Sequence, residues 1–247
     1  MEDGLIHKYM RVLGLIPTRL GSTRLPQKPL LKINNVPMVI QTYNRAKKSK
    51  KIDDLYICCD DKKIFDVAKK YKAKCIMTSV HHVNGTERIA EAYIKIKKNF
   101  DYVIDIQGDE PFISPSHIDK VIEFHKKNHK YDIILPVLKS KLFNKPSLIK
   151  VLTNLKKEVI YLSRAQIPYE YKKKNSFFKK HLSIISFKPE ALKKFASSKK
   201  TPLESVEDIE LLRAIELGLT IKTIMLKGDS FSIDVMEDYL KATNFKI

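Results

Sequence analysis

The chain has 247 residues, 43% of them hydrophobic, and a formal net charge of +19 at pH 7. That apolar content can bury a sizeable core, and it excludes an intrinsically disordered chain. The basic residues are mostly Lys and are scattered along the sequence, without the concentrated basic face or interleaved aromatics of a nucleic-acid binder, so we expect no nucleic-acid partner.

The first ten residues contain acidic residues and lack the apolar core of a signal peptide, and no run of about 18 apolar residues follows. Three cysteines, Cys58, Cys59 and Cys75, lie in apolar runs without metal-ligand spacing, which predicts buried reduced thiols. We therefore expect a soluble cytoplasmic protein with no membrane partner.

The first predicted strand, 12–16, leads into the loop I-P-T-R-L-G-S-T-R-L-P-Q-K-P-L at 16–30. Gly21 and Ser22 allow close backbone approach, and Arg19, Arg24 and Lys28 are spaced along the loop as cations. This pattern favours a bound triphosphate. The spacing of a Walker A motif is absent, which disfavours a kinase or ATPase of that class. A solvated basic loop is the alternative.

Apolar runs and segments of helical period alternate through the first half of the chain, which predicts an α/β fold with a mostly parallel, Rossmann-like sheet flanked by helices. Ligands of such a sheet lie at the carboxyl ends of its strands. The predicted elements are strands 12–16, 54–59, 74–77, 102–106 and 133–137 and helices 37–48, 62–71, 86–97 and 115–127.

The segment V-N-G-T-E-R places Gly85 and Thr86 at the start of a predicted helix and Arg88 in its first turn. A cation at that end opposes the helix macrodipole, so Arg88 is better explained by a ligand or a buried partner. Thr86 could serve simply as a helix cap.

The segment Y-V-I-D-I-Q-G-D-E-P places Gln107, Asp109 and Glu110 just beyond a buried strand. Magnesium takes one or two carboxylates and fills its other positions with phosphate oxygens and water, so Asp109 could hold Mg²⁺ against a triphosphate. A turn with a helix cap is the alternative.

After Pro136 the predicted strands become short, at 150–153, 159–162 and 182–187, around a polar stretch at 171–180. We interpret residues 138–188 as a β-rich insertion with an exposed hairpin tip at 172–176, inside a single domain of 1–247. An exposed sheet of this kind commonly finds a partner subunit, so we expect a homodimer.

Alternation resumes with a helix over Val206 to Leu217, capped by Ser205 and ended by Gly218, and a strand over 221–226. Asp234 follows an apolar residue at an apparent strand end. It could complete a two-carboxylate metal site with Asp109.

Six segments follow one another along the chain: the 16–30 loop, G-T-E-R at 85–88, Q-G-D-E-P at 107–111, L-S-R-A-Q-I-P at 162–168, H-L-S-I at 181–184 and P-L-E-S-V-E-D-I-E-L-L-R at 202–213. In this order they resemble the motifs of the 3-deoxy-manno-octulosonate (Kdo) cytidylyltransferase, or CMP-Kdo synthetase, family. The resemblance covers nearly the whole chain. It implies a sugar nucleotidyltransferase with a Rossmann-like domain and a dimerising β insertion. Such enzymes transfer CMP from CTP to the anomeric hydroxyl of an acidic octulosonate and release pyrophosphate with Mg²⁺.

The resemblance also implies roles for individual residues. The triphosphate of CTP would be bound by Arg19, Ser22, Arg24 and Lys28, of which Arg19 and Lys28 would stabilise the leaving pyrophosphate. The cytidine would be surrounded by Gly85, Thr86, Arg88 and Gln107. Asp109 and Asp234 would hold Mg²⁺, while Gln107, Arg164, His181 and Glu210 would face the acidic sugar. From the residues alone, a lone His such as His181 is more often structural, although a side chain that titrates near neutrality stays eligible.

The chain departs from the family pattern mostly toward the sugar side. Ser183 and Ser186 stand where glycines are expected, and Ile185 stands for Tyr. Val235 and Met236 replace a Thr-Pro before the last helix, and Asn154 replaces an Asp. These changes leave the nucleotide motifs intact, so the identity of the acidic sugar is the open question.

Three alternatives remain at this point. The first is the same chemistry on another ulosonic acid, such as an amino-substituted octulosonate or a nonulosonic acid. The second is a homologue that binds nucleotide without turnover, and the third is a nucleic-acid binder, suggested by the net charge alone.

Overall fold

The computed structural model describes residues 9–22, 24–142, 145–228 and 231–244. Within these ranges the strands are β1 (Val12–Thr18), β2 (Lys32–Ile33), β3 (Val36–Pro37), β4 (Asp54–Cys59), β5 (Cys75–Met77), β6 (Tyr102–Ile106), β7 (Ile133–Ser140), β8 (Lys150–Thr153), β9 (Val159–Ser163), β10 (Phe178–His181), β11 (Ile184–Phe187) and β12 (Ile221–Met225). The helices are α1 (Met38–Ala46), α2 (Lys62–Lys70), α3 (Gly85–Ile96), α4 (Pro115–Lys127), α5 (Pro189–Ala196), α6 (Pro202–Glu207), α7 (Glu210–Glu216) and α8 (Met236–Thr243).

The main sheet has the strand order β5-β4-β1-β6-β11-β7-β10-β8-β9, with β12 paired to β7. Strands β5, β4, β1 and β6 are mutually parallel, and β11 then runs antiparallel to both β6 and β7. The predicted α/β fold is confirmed, and its parallel part coincides with the alternating half of the sequence.

Every residue of β1 is buried, because helices cover both faces of the sheet. One apolar cluster joins β1 to α1, α2 and α4 through residues such as Val39, Ile64 and Ile118. A second cluster on the other face includes Ile89 of α3 and Leu212 of α7. This explains why the predicted strand 12–16 appears as a continuous apolar run in the sequence.

Strand β7 belongs to both parts of the sheet. Its first residues, Ile133 and Ile134, pair with β11 and β12, whereas 137–140 pair with β10. Strands β8 and β9 continue outward from β10. These three strands fall within the predicted 138–188 insertion, and the division of the single domain 1–247 into a core and this insertion stays a prediction.

The predicted helix over Val206 to Leu217 is wrong, because two short helices, α6 and α7, occupy this region. Asp208 adopts a left-handed conformation with φ of 51°, which ends α6 and turns the chain before Glu210. Ser205 lies inside α6 and its hydroxyl donates to the Thr201 carbonyl, so it is not a cap. The predicted end of the helical segment at Gly218 is confirmed, with φ of 73°.

The three cysteines are free in the described chain, with Cys58 and Cys59 buried and Cys75 partly buried. Among the described residues, no helix is long and apolar enough to cross a bilayer.

Candidate active site

A cleft of about 750 Å³ opens at the carboxyl ends of β1 and β6, where the parallel-sheet rule predicts a ligand. Most of the predicted site residues line it, although they come from segments far apart in the sequence. They are Arg19, Ser22, Arg24, Lys28, Gly85, Arg88, Gln107, Asp109, Arg164, His181, Glu210 and Asp234. Thr86 does not line the cleft and is buried directly behind it.

The loop after β1 is held from both ends. Its Leu20 amide donates to Oδ1 of Asp60 at 3.0 Å, and Leu25 is buried in a small apolar cluster with Ile33 and Ile233. The exposed side chains of Arg19 and Arg24 are left at the cleft wall. The sequence analysis missed Asp60, whose position at the end of β4 gives no motif signal.

The C-terminal segment docks against the loop that follows β6, since the Ile233 amide donates to the Asp109 carbonyl at 3.0 Å. The ammonium of Lys28 then lies 2.7 Å from Asp109 Oδ2, 3.6 Å from Asp234 Oδ1 and 2.8 Å from the Ile233 carbonyl. Arg24 adds a second contact to Asp234 at 3.1 Å. The two aspartates predicted to share a metal therefore meet at one cation.

The two aspartates fit the chemistry of a magnesium site that borrows its other ligands from substrate. Among the described residues, no group of three His, Cys, Asp or Glu side chains could hold a metal by itself. Magnesium needs only one or two carboxylates when phosphate oxygens and water complete its shell. Asp234 is held in place because its amide, with that of Val235, donates to the Asp238 carboxylate at 3.0 and 3.2 Å.

Glu110 is 3% exposed and lines the same cleft. Burial, followed by the nearby Asp109 carboxylate, raises the pKa of Glu110 to about 7. The sequence placed this acid in a turn and gave no sign of the shift, because burial is a property of the folded chain.

The amino end of α3 is capped twice. The Asn84 side chain accepts from the Glu87 amide at 2.8 Å, and the Glu210 carboxylate accepts from the Gly85 and Thr86 amides at 3.3 and 3.0 Å. Glu210, predicted to face the sugar, is thus tied to the G-T-E-R segment while still lining the cleft. An acid here also interacts favourably with the helix macrodipole.

Arg88 has the buried partner that its unfavourable helix position suggested. It is 3% exposed, and its guanidinium donates to Asp60 Oδ2 at 3.2 Å and to Thr78 Oγ1 at 2.7 Å. Asp60 therefore connects Arg88 to the loop after β1. The described contacts of Arg88 are to protein, and its predicted role beside cytidine stays a prediction.

Gln107 is positioned by its neighbours on β6 and α3. Its Nε2 donates to Asp105 Oδ2 at 2.8 Å. A Cβ on Gly85 would lie 3.3 Å from the same Nε2, and a Cβ on Gly108 would lie 2.9 Å from the Pro17 carbonyl. Glycine at both positions lets three segments converge at the cleft.

Arg164 lines the cleft, but its guanidinium donates hydrogen bonds to backbone carbonyls. Nε donates to the carbonyl of Glu207 at 2.7 Å, Nη2 to that of Asp208 at 2.9 Å and Nη1 to that of Pro146 at 3.2 Å. The left-handed turn after α6 thus positions this cation at the sugar side of the predicted site.

Burial, followed by the Lys180 charge, lowers the pKa of His181 to about 4. At neutral pH it can offer hydrogen bonds but no positive charge.

The departures at 183–186, in and just before β11, divide between two faces because side chains alternate along an extended chain. Ser183 and Ile185 line the cleft, whereas Ser186 is buried on the opposite face and its hydroxyl lies 2.6 Å from His125 Nδ1. The expectation that Ser186 changes the sugar pocket is wrong. Asn154 is exposed and hydrogen-bonds Glu158, away from the cleft lining.

Arg213 lies outside the cleft lining. It is buried and donates to Glu204 at 2.6 and 2.7 Å and to Glu87 at 2.9 Å. This network fixes α7 against α3, which supports the placement of Glu210.

Comparisons with known proteins agree with this geometry. A family model described as Cytidylyltransferase matches residues 13–224. The chain is 38% identical over 249 residues to a 3-deoxy-manno-octulosonate cytidylyltransferase of Fusobacterium nucleatum, covering 96% of this chain and 100% of the relative. A relative of the same name from Thermodesulfovibrio yellowstonii is 37% identical over 93% of this chain and 95% of its own length.

Among solved structures, one of CMP:2-keto-3-deoxy-manno-octonic acid synthetase complexed with CTP superposes with a TM-score of 0.89 and 27% identity, covering 94% of this chain and 97% of that one. A cytidylyltransferase from Leptospira borgpetersenii, at 19% identity and a TM-score of 0.66 over 95% of this chain and 86% of that one, shows the same fold.

Proposed function

The chain belongs to the 3-deoxy-manno-octulosonate cytidylyltransferase family, and we propose on that basis that it transfers CMP from CTP to the anomeric hydroxyl of 3-deoxy-D-manno-octulosonate (Kdo), releasing pyrophosphate. The observation that carries this proposal is the convergence of Lys28, Asp109 and Asp234 at one point of a cleft that the loop after β1 also lines.

Nucleotide binding is assigned to the loop side of the cleft. Arg19, Ser22, Arg24 and Lys28 would contact the triphosphate, with Arg19 and Lys28 offsetting the charge that develops on pyrophosphate. Gly85, Thr86, Arg88 and Gln107 would surround the cytidine, with Thr86 buried behind the cleft lining.

Asp109 and Asp234 would hold Mg²⁺, which supplies charge neutralisation at the phosphate oxygens when bound. The chain itself needs no covalent nucleophile, because this chemistry depends on positioning and electrostatic stabilisation. Lys28 has two roles in this scheme. Without nucleotide it neutralises the carboxylates of Asp109 and Asp234, and with nucleotide bound it would face the phosphates.

The acidic sugar is assigned to the side of the cleft formed by Gln107, Arg164, His181 and Glu210. Arg164 supplies the positive charge there, since His181 is neutral at physiological pH. A different ulosonic acid, amino-substituted or nonulosonic, is the second candidate substrate, because Ser183 and Ile185 line the cleft in place of the family's usual residues.

We further propose a homodimer that forms through the β8–β10 region. Leu155 and Ile160 are exposed there, as are Tyr169 and Tyr171. The reduced cysteines fit action in the cytoplasm.

The test is pyrophosphate release with CTP, Mg²⁺ and a panel of Kdo, 8-amino-Kdo and a nonulosonic acid. We expect release with Kdo, and preferential release with another acid would favour the second candidate. Binding of CTP without release for any acid would show a nucleotide-binding homologue.

A further inference from the structure

One acid in the cleft wall has no role in the assignments above. Asp105 lies on β6 between Leu15 of β1 and Ile185 of β11, with which it is in register. It is 1% exposed and contributes to the cleft lining. The sequence analysis treated it as part of a buried strand and did not consider it.

The two carboxyl oxygens of Asp105 differ in their contacts. Oδ2 accepts a hydrogen bond from Gln107 Nε2 at 2.8 Å. Oδ1 is buried and has no hydrogen-bond partner in the described part of the chain. A buried polar atom without a partner costs free energy, so a folded protein that keeps one calls for an explanation. Its place in the wall of a substrate cleft suggests that the partner is a ligand.

The surroundings of Asp105 favour the neutral acid. Its strand neighbours Leu15 and Ile185 are apolar, and within the described residues its Oδ1 has no cationic or other polar partner. Burial, followed by the charges of Glu210 and Asp109, raises the pKa of Asp105 well above its usual range. Because Gln107 donates to Oδ2, the acid proton belongs on Oδ1, which then is a hydrogen-bond donor that lacks an acceptor.

We infer that Asp105 is a further substrate-contacting residue, which donates a hydrogen bond from Oδ1 to an oxygen of the bound sugar acid while its Oδ2 holds Gln107. This inference rests on the proposed function. The sugar is favoured over the nucleotide because Asp105 interacts with Glu210, which is assigned to the sugar, and lies in register with Ile185 of the cleft lining. A neutral acid can also approach the anionic sugar without the repulsion that a carboxylate would cause.

Two substitutions separate this role from others. Asp105→Leu removes both hydrogen bonds at similar size, and we expect the KM for Kdo to rise about tenfold, the equivalent of one such bond. Because Gln107 is also assigned to the cytidine, CTP affinity by calorimetry should fall no further than it does in Gln107→Leu. Asp105→Asn can accept from Gln107 through Oδ1 and donate through Nδ2, so it should recover most of that loss. If Asn is as damaging as Leu, the donor role is wrong.

A double-mutant cycle with Gln107→Leu tests direct contact. If Asp105 acts only through Gln107, adding Asp105→Leu to Gln107→Leu changes nothing further; direct contact predicts a further rise in the KM for Kdo of about tenfold. Thr223→Val is the matched control, because Thr223 is a buried polar residue of the same sheet whose hydroxyl donates to the Lys157 carbonyl, away from the cleft lining.

The outcomes also separate this inference from the proposed function. Wild-type protein that releases no pyrophosphate with Kdo contradicts the proposed function, whereas normal wild-type turnover with an unchanged Asp105→Leu variant contradicts only the inference. A fall in thermal stability of Asp105→Leu with equal loss of CTP and Kdo binding would show a purely structural residue, and would overturn the contact.

Discussion

The ammonium nitrogen of Lys28 lies 2.7 Å from Oδ2 of Asp109, although 81 positions separate the two residues in the chain. The contact joins the loop after β1 to the loop after β6, and Asp234 approaches the same nitrogen. Charge at the centre of the cleft is therefore balanced inside the free protein.

Replacing Lys28 with Met should have opposite effects on metal and nucleotide. Two carboxylates then lose their internal counterion, so Mn²⁺ should bind the free protein more tightly, as measured by electron paramagnetic resonance. CTP should bind more weakly, and kcat should fall about 10²- to 10³-fold, as for a lost electrostatic stabiliser. Lys32→Met, at an exposed Lys of β2, is the control. Unchanged Mn²⁺ affinity would show that Lys28 does not compete with the metal.

Asp109→Asn and Asp234→Asn should each raise the Mg²⁺ concentration needed for half-maximal pyrophosphate release. Amide oxygens are weaker ligands than carboxylates for a hard cation, and we expect kcat to fall by about 10²-fold or more. Asp66→Asn, on the exposed side of α2, should behave as the wild type. A normal Mg²⁺ response in either variant would remove that aspartate from the proposed metal site.

Asp60→Ala should destabilise the protein and loosen the loop after β1. It removes the carboxylate partner of buried Arg88 and the acceptor of the Leu20 amide, and breaking a buried pair in this way costs about 3–5 kcal/mol. Urea unfolding and CTP calorimetry measure the two effects. The neighbouring Asp61→Asn keeps a helix cap for α2 and should change neither. Loss of stability without loss of CTP affinity would separate Asp60 from nucleotide binding.

Stability should fall below neutral pH because of His125. This side chain is fully buried, where its Nε2 lies 3.1 Å from the Tyr131 carbonyl, and burial lowers its pKa to about 4 from an ordinary value near 6.5. The unfolded chain then binds one more proton between those values, so its contribution, about 3 kcal/mol at most, is present above pH 6.5 and lost as pH falls toward 4.

Urea unfolding of wild type and His125→Gln across pH 4 to 7 isolates this contribution, since other titrating groups, His181 included, are common to both. The variant should show the smaller loss of stability on acidification. Parallel curves for the two proteins would mean that His125 is protonated in the folded state.

The parallel part of the sheet and its helices were predicted from local sequence patterns. Apolar runs and helical periods report which face of each element is buried, and the carboxyl-end rule then placed the loops after β1 and β6 at one cleft. The break at Asp208 was missed, because the residues around it retain a helical pattern and the left-handed turn depends on contacts such as that of Arg164 with the Asp208 carbonyl.

By itself, the sequence determined the α/β class, the family resemblance and twelve of the residues that line the cleft, because these depend on motifs and periodicity along the chain. Only the tertiary structure decided that Arg88 is held by Asp60, that Ser186 faces His125 and not the cleft, and that Asp105 and Glu110 are buried acids. Strand register and burial set those relationships, and the charge state of a carboxyl or an imidazole depends on neighbours that lie distant in sequence.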